Sequence, residues 1–243
     1  MKNFFKTKTE IGSSFCDTRS LLRPSGMLQI IQDIAVDHAR ALGIDSPSLI
    51  KRDEAFWIIS RVKVNIFETP HQDEEIDVKT WPQEPEGFRC NRHTRFTKDG
   101  NIVLASVSEW ILVDCNTHKL RRADTVSYPF EMEHVTEFAV EEPYSRLRDD
   151  FTPEEFVETR TVRSSFIDVA RHTNNCVYPT LLLDTFSVAE LETMDFTGFE
   201  IVYQREALEG EKISIYRRKI EDGWFFSIRK EDGATAILAK FSL

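Results

Sequence analysis

Cysteine is scarce and unpaired in this 243-residue sequence: Cys16, Cys90, Cys115 and Cys176 are scattered, with no C-x-x-C spacing. That excludes a disulfide framework or a thiolate zinc site, and reads as four reduced thiols. The six histidines (His38, His71, His93, His118, His134 and His172) contain no H-E-x-x-H or comparable metal spacing. Neither G-x-G-x-x-G nor a Walker A motif occurs, so nothing points to nucleotide binding through those devices. No apolar run approaches the length needed to span a bilayer. The N-terminus, Met1-Lys-Asn-Phe-Phe-Lys-Thr-Lys-Thr9, lacks the apolar core of a signal peptide. The expectation is a cytoplasmic protein with no metal, no cofactor and no membrane contact. A formal net charge of −10 argues against a general nucleic-acid partner.

What is present describes an ordinary globular chain, 41% hydrophobic, with eighteen Phe and four Trp to fill a core. Pro24-Ser-Gly-Met27 opens a helix, with Pro in the first turn where its missing N–H costs little, and Gly43 ends it. Met27, Leu28, Ile30, Ile31, Ile34, Ala35, Ala39 and Leu42 place apolar groups on more than one side, so the helix is enclosed by the fold. A short helix over 46–52 follows. Strands are expected over 4–16, 56–67, 75–81, 88–96 and 102–113, with a hairpin at Lys98-Asp-Gly-Asn101. Residues 114–160 are rich in Asp and Glu, with Pro129 and Pro143, and read as an ordered or semi-ordered linker between two units, with a plain solvated acidic linker as the alternative.

The same order then recurs. A strand at 159–166, a polar loop, a helix from about Asn175 to Met194 and strands at 199–205, 212–220, 224–230 and 234–243 repeat the first half. An offset of 151 lays Asp17 on Asp168, Phe15 on Phe166 and Asp33 on Asp184. The chain therefore reads as α+β, in two copies of one unit. Three segments result: 1–130, an acidic linker at 131–158, and 159–243. The overlay also exposes a difference. His172 falls on Leu21, Asn174 on Arg23 and Asn175 on Pro24, so any chemistry belongs to the second copy.

That chemistry centres on Phe166-Ile-Asp-Val-Ala-Arg-His-Thr-Asn-Asn-Cys-Val-Tyr178, which gathers Asp168, His172, Asn174 and Asn175 at a helix start. The spacing D-x-x-x-H-x-N-N-x-x-Y resembles the signature loop of the plant and bacterial acyl-acyl-carrier-protein thioesterases. Arg205-Glu206 follows at the distance of that family's Glu, and Thr80-Trp-Pro82 and Ser108-Glu-Trp-Ile-Leu-Val-Asp114 also look like family segments. The resemblance implies a double hotdog fold, two tandem units each with a long helix wrapped by an antiparallel sheet. It also implies release of free fatty acid from acyl-acyl carrier protein in fatty acid biosynthesis. A hotdog acyl-coenzyme A thioesterase and a non-catalytic acyl-binding protein are the alternatives.

By the same resemblance, Asp168 attacks or orients water, His172 acts as base or polarises the carbonyl, and Glu206 orients His172 or holds the water. Backbone N–H groups around Asn174 and Asn175 would face the oxyanion. Each assignment has a plainer competitor: a loop cap for Asp168, helix caps for Asn174 and Asn175, a pocket wall for Tyr178 and a solvent-facing side chain for Glu206. The acyl chain would lie in the first copy, near Met27, Ile30, Ile31, Trp57 and Ile59, with Tyr178 at its entrance. Acyl carrier protein, itself acidic, is the implied partner. Arg205, Lys212 and Arg217 to Lys219 are the nearest basic candidates to meet it, and a homodimer is one assembly the fold allows. The sequence departs from the family pattern at Ala170, often Asn there, and at Ala207, where plant enzymes carry a Cys. A thiol mechanism at position 207 is thereby excluded.

Overall fold

The computed structural model describes residues 3–243; Met1 and Lys2, part of the N-terminal reading above, lie outside the described residues. Strand β1 (Phe5–Glu10) is shorter than expected, because a 3-10 turn at Ser13–Phe15 takes over. Helix α1 (Pro24–Ala41) follows, and Gly43 adopts the left-handed φ of +70° that stops it. Next come α2 (Ser46–Asp53), β2 (Ala55–Ile66), β3 (Glu75–Pro82), β4 (Arg89–Lys98), β5 (Asn101–Asp114) and the two-residue β6 (Leu120–Arg121). The second half contributes β7 (Phe156–Thr161), α3 (Tyr178–Leu183), α4 (Val188–Leu191), β8 (Gly198–Tyr203), β9 (Lys212–Ile220), β10 (Gly223–Lys230) and β11 (Thr235–Ser242).

All strands join one antiparallel sheet, in the order β1-β3-β4-β5-β2-β8-β11-β10-β9-β7, with β6 on β5. The two halves meet where β2 pairs β8, from Arg61 opposite Val202 to Asn65 opposite Gly198. A Cβ at Gly198 would lie 2.6 Å from the Val64 carbonyl oxygen, so only glycine lets the two backbones approach this closely. Val62, Val64 and Ile66 alternate inward as their spacing predicts. They share one core with Met27, Ile31, Leu181, Leu182, Phe199, Ile201, Phe226 and Phe241. The halves thus have no separate interiors.

One expectation needs correction. The helix predicted over Asn175–Met194 is broken into a 3-10 turn (Asn175–Val177), α3 and α4. The break has a local cause. Ser187 and Glu190 form a capping box, with Ser187 N–H on Glu190 Oε2 at 2.7 Å, which starts a new helix. Phe186 drops into the core edge-on to Trp224 at 4.8 Å, and Arg217 covers its ring at 4.0 Å while donating to the Thr185 carbonyl at 2.6 Å. The S-x-x-E signal was present in the sequence, but the apolar run masked it.

The acidic segment between the halves is ordered. It crosses the face of the sheet opposite the helices, strand by strand. Trp81 Nε1 donates to the Glu137 carbonyl at 2.9 Å, and Arg95 pairs with Glu137 at 2.7 Å. Val140 packs with Ala105 and Val107. Lys63 donates to the Pro143 carbonyl at 3.1 Å, and both oxygens of buried Glu200 accept the Ser145 N–H at 3.0 Å. Asp149 then receives Arg229, Ser227 and Thr235, and Phe151 joins Phe225 and Leu238. Its carboxylates are the anchors of an ordered strap over both halves.

Candidate active site

The offset of 151 holds in the backbone as well as in the sequence. Asp17 N–H donates to the Leu21 carbonyl at 2.8 Å and Asp168 N–H to that of His172 at 3.1 Å. Arg23 N–H meets the Phe15 carbonyl at 3.0 Å as Asn174 N–H meets that of Phe166 at 2.8 Å. Ser20 and Arg171 share a left-handed φ, 61° and 66°. Within these matched frames the side chains differ. Asp17 is consumed: it accepts from Arg19 N–H at 2.8 Å and Leu21 N–H at 3.0 Å, and pairs with Arg19 Nε at 3.4 Å. Ala170 stands where Arg19 would be, so Asp168 accepts only the Ala170 N–H, at 2.9 Å, among the described residues. Asp168 lines the cavity beside it.

His172 follows on the same loop. Its Nδ1 lies 3.2 Å from the Thr173 carbonyl, which only accepts, so Nδ1 carries the hydrogen and Nε2 is left as the basic nitrogen. Thr173 is itself clamped, donating N–H and Oγ1 to the Ala207 carbonyl at 2.9 and 2.8 Å. Those bonds draw the segment after β8 against the loop and bring Glu206 Oε1 to 4.0 Å from His172 Nε2. Glu206 stands on this segment rather than on a strand, because β8 ends at Tyr203. Lys230 Nζ donates to its carbonyl at 2.9 Å.

Asn174 and Asn175 divide their tasks. The Asn174 side chain caps the 3-10 turn by accepting the Cys176 N–H at 2.8 Å, which removes that N–H from any oxyanion site. Asn175 lines the cavity with Gln32, Tyr178 and Tyr203. Burial pushes the Cys176 thiol and the Tyr178 phenol each up to about 12. At neutral pH neither a thiolate nor a phenolate stands beside His172.

The cavity has a volume of about 890 Å³. It starts at Asp168, His172 and Glu206 and runs under α1 into the first half, reaching Trp57, Ile59, Trp110, Arg92 and Tyr128. Of the residues expected to line an acyl pocket, Trp57, Ile59 and Tyr178 are on its wall, and Ile31 lines a small adjoining space with Ile59. Met27 and Ile30 are not on it; they belong to the core. The helical period explains the displacement. Met27, Ile30, Ile31 and Ile34 form the stripe against the sheet, whereas Gln32, Ala35, Val36, Ala39 and Arg40 form the neighbouring stripe that faces the cavity. Gln32, Arg92 and Tyr203 were missed by sequence reasoning. The inward parity of Cys90, Arg92, Thr94 and Phe96 on β4 was the available signal for Arg92.

Comparison with known proteins decides the family. The profile described as Acyl-ACP thioesterase N-terminal domain matches residues 2–127, and that of the C-terminal domain matches residues 151–240. The chain belongs to the acyl-ACP thioesterase family. It is 22% identical over 208 residues to a chloroplastic acyl-[acyl-carrier-protein] hydrolase of Cuphea viscosissima, covering 74% of this chain and 46% of that protein. The chain thus spans about half the length of the curated relatives it matches. An acyl-ACP thioesterase from Bacteroides thetaiotaomicron superposes with a TM-score of 0.89 at 23% identity, covering 99% of this chain and 97% of that one. The 12:0-ACP thioesterase from Umbellularia californica does so at 0.83 and 16% identity, covering 100% and 97%. The fold is that of the acyl-ACP thioesterases, a double hotdog of the α+β class.

The basic residues considered for docking are mostly engaged inside this fold. Arg217 is spent on Phe186 and Thr185, and Arg218 on Glu155 and Asp150. Lys212 lies 3.9 Å from Glu231. Arg205 is exposed at the cavity mouth. Among the described residues no helix is long and apolar enough to cross a membrane.

Proposed function

We propose that the protein hydrolyses acyl-acyl carrier protein and releases the free fatty acid. The observation that carries this reading is the meeting of Asp168, His172 and Glu206 at the mouth of a mainly apolar cavity, in a chain of this family. The acyl chain enters the first half of the protein and leaves its thioester carbonyl at the loop. Asp168 holds a water against that carbonyl. His172 Nε2 takes a proton from the water as the oxygen attacks carbon, with the Glu206 carboxylate 4.0 Å from that nitrogen. The tetrahedral intermediate collapses, the carbon–sulfur bond breaks, and His172 returns the proton to the departing sulfur. In this reading the Asn175 side chain, which lines the cavity and is free of the capping role that occupies Asn174, donates to the oxyanion.

Acyl carrier protein is the proposed carrier, and the exposed guanidinium of Arg205 beside the mouth supports an acidic partner. All four cysteines are free thiols, which supports a cytoplasmic setting. Hydrolysis rates on acyl carrier protein and coenzyme A thioesters of one chain length test the carrier. The acyl-carrier-protein thioester should be cut faster; equal or faster hydrolysis of the coenzyme A ester overturns that choice. Binding of acyl chains with no turnover on either carrier overturns the enzyme reading.

A further inference from the structure

The far wall of the cavity carries a group that an ordinary acyl chain does not need. Arg92 lies on the inward face of β4, only 6% exposed, and lines the cavity. Its Nη1 donates to His38 Nδ1 at 3.0 Å and to Thr80 Oγ1 at 3.4 Å. Both acceptors are uncharged: a ring nitrogen that accepts from a guanidinium carries no hydrogen. Among the described residues no carboxylate pairs with it. Its other nitrogens have no protein acceptor there, yet they are not sealed off, so they open on the cavity. An unpaired cation in an apolar interior is costly, and a hydrocarbon tail packed against it would add to that cost. Its site is otherwise polar: Thr80, Thr94, Ser106 and Ser108 share the inward face around it, and Thr94 Oγ1 donates to Thr80 Oγ1 at 3.0 Å.

We propose that Arg92 forms a polar subsite at the end of the acyl cavity, and that the natural substrate is an acyl chain bearing an oxygen function remote from its thioester. The reacting end lies beside β8, and Arg92 is on β4, with β2 and β5 between them. Three strand spacings amount to about 14 Å. The oxygen, as hydroxyl, oxo or carboxylate, sits at that depth and accepts the free N–H groups of the guanidinium. This inference rests on the thioesterase reading above, but its test has one arm that needs no turnover.

That arm is binding of free fatty acids to the intact protein, comparing ω-hydroxy, ω-carboxy and methyl-ended chains of matched length by calorimetry. The second arm is kcat/KM on the corresponding acyl carrier protein thioesters. A hydrogen bond to a charged group predicts that the oxygenated chains are favoured about ten- to hundredfold in both arms, at the lengths that reach Arg92. The ω-carboxy chain gains most if charge neutralisation dominates, and the ω-hydroxy chain matches it if hydrogen bonding alone suffices. Arg92→Leu should invert the preference, improving the methyl-ended chain and weakening the oxygenated ones, and Arg92→Lys should keep its direction. If Arg92→Leu does not fold, the wild-type ratio decides by itself. Equal or tighter binding of methyl-ended chains by the wild type overturns the proposal, and leaves Arg92 as a guanidinium hydrated by cavity water. Selective binding without turnover keeps the subsite and removes only the thioesterase reading.

Discussion

Replacing Asp149 by alanine should lower the melting temperature by about 6–12 °C, although the residue belongs to neither of the matched loops. Asp149 is the inner anchor of the strap. Its carboxylate takes Arg229 through Nη2 at 2.5 Å and Nε at 3.0 Å, Thr235 Oγ1 at 2.5 Å and Ser227 Oγ at 2.9 Å. The side chains of Asp149 and Arg229 are only 14% and 23% exposed. Removing one partner of a buried ion pair costs roughly 3–5 kcal/mol, because the other charge is left without compensation. Residual solvent at Arg229 lowers the expectation to about 3 kcal/mol. For a chain of this size that corresponds to a fall in Tm of about 6–12 °C.

The assay is thermal and urea unfolding of wild type, Asp149→Ala and Asp149→Asn at pH 7, then at descending pH. Burial opposes ionisation of Asp149, but Arg229, Thr235 and Ser227 outweigh it and hold the carboxyl below its ordinary range. A depressed folded-state pKa contributes stability that is full above the unfolded value, near 3.9, and lost as pH falls through the folded value. The gap between wild type and Asp149→Ala should therefore be constant from pH 7 to about 5 and close below about 4. Asp149→Asn should lie between the two. A fall of under 2 °C at pH 7, or a gap that widens on acidification, would refute the reasoning and leave the strap a loosely held cover.

The remaining expectations concern the site and the seam. His172→Ala and Asp168→Ala should each lower kcat by about 10²–10⁴ with the urea midpoint unchanged; turnover near wild type in both variants would sink the assigned roles. Cys176→Ala should retain activity, since its thiol is pushed up to about 12 and is not ionised at neutral pH; an activity loss matched by rapid iodoacetamide labelling at pH 7 would contradict this. Single turnover in ¹⁸O-water should place label in the fatty acid and none in Asp168, because water is the nucleophile; labelled Asp168 would show an acyl anhydride instead. Gly198→Ala, whose Cβ would meet the Val64 carbonyl oxygen at 2.6 Å, should destabilise by about 1–3 kcal/mol as read by urea unfolding; an unchanged midpoint would mean that the β2–β8 seam is compliant.

Much of the fold was legible because its signals are local. Pro24 and Gly43 bracket α1, the D-G turns set two hairpins, and Val62, Val64 and Ile66 alternate inward. The repeat was legible too, since the same loop is built twice on one offset. The break after Leu183 was hidden, because Leu181, Leu182, Leu183 and Phe186 read as one apolar run whether or not the backbone interrupts it. The strap was legible as a linker, but its anchors were hidden for a different reason. Charge in a sequence marks solvent only if no partner waits across the fold, and Arg95, Arg218 and Arg229 lie on strands that local patterning cannot bring near Glu137, Glu155 and Asp149. At the site, Asp168 and His172 share one loop and were found together, whereas Arg92 and Gln32 reach the cavity only through tertiary packing.

The β2–β8 seam also shapes the order in which the molecule can be completed. Val62 faces Ile201 across the seam, so one side of β2 stays an open strand edge until most of the chain has been synthesised. Open edges recruit other chains, and pairings this distant in sequence form late. A nascent first half would thus emerge from the ribosome with an adhesive border, and the next residues to follow are the most acidic in the protein. Before it is fastened across the finished sheet, that segment is a tethered polyanion beside the exposed edge, able to keep neighbouring nascent chains apart by charge.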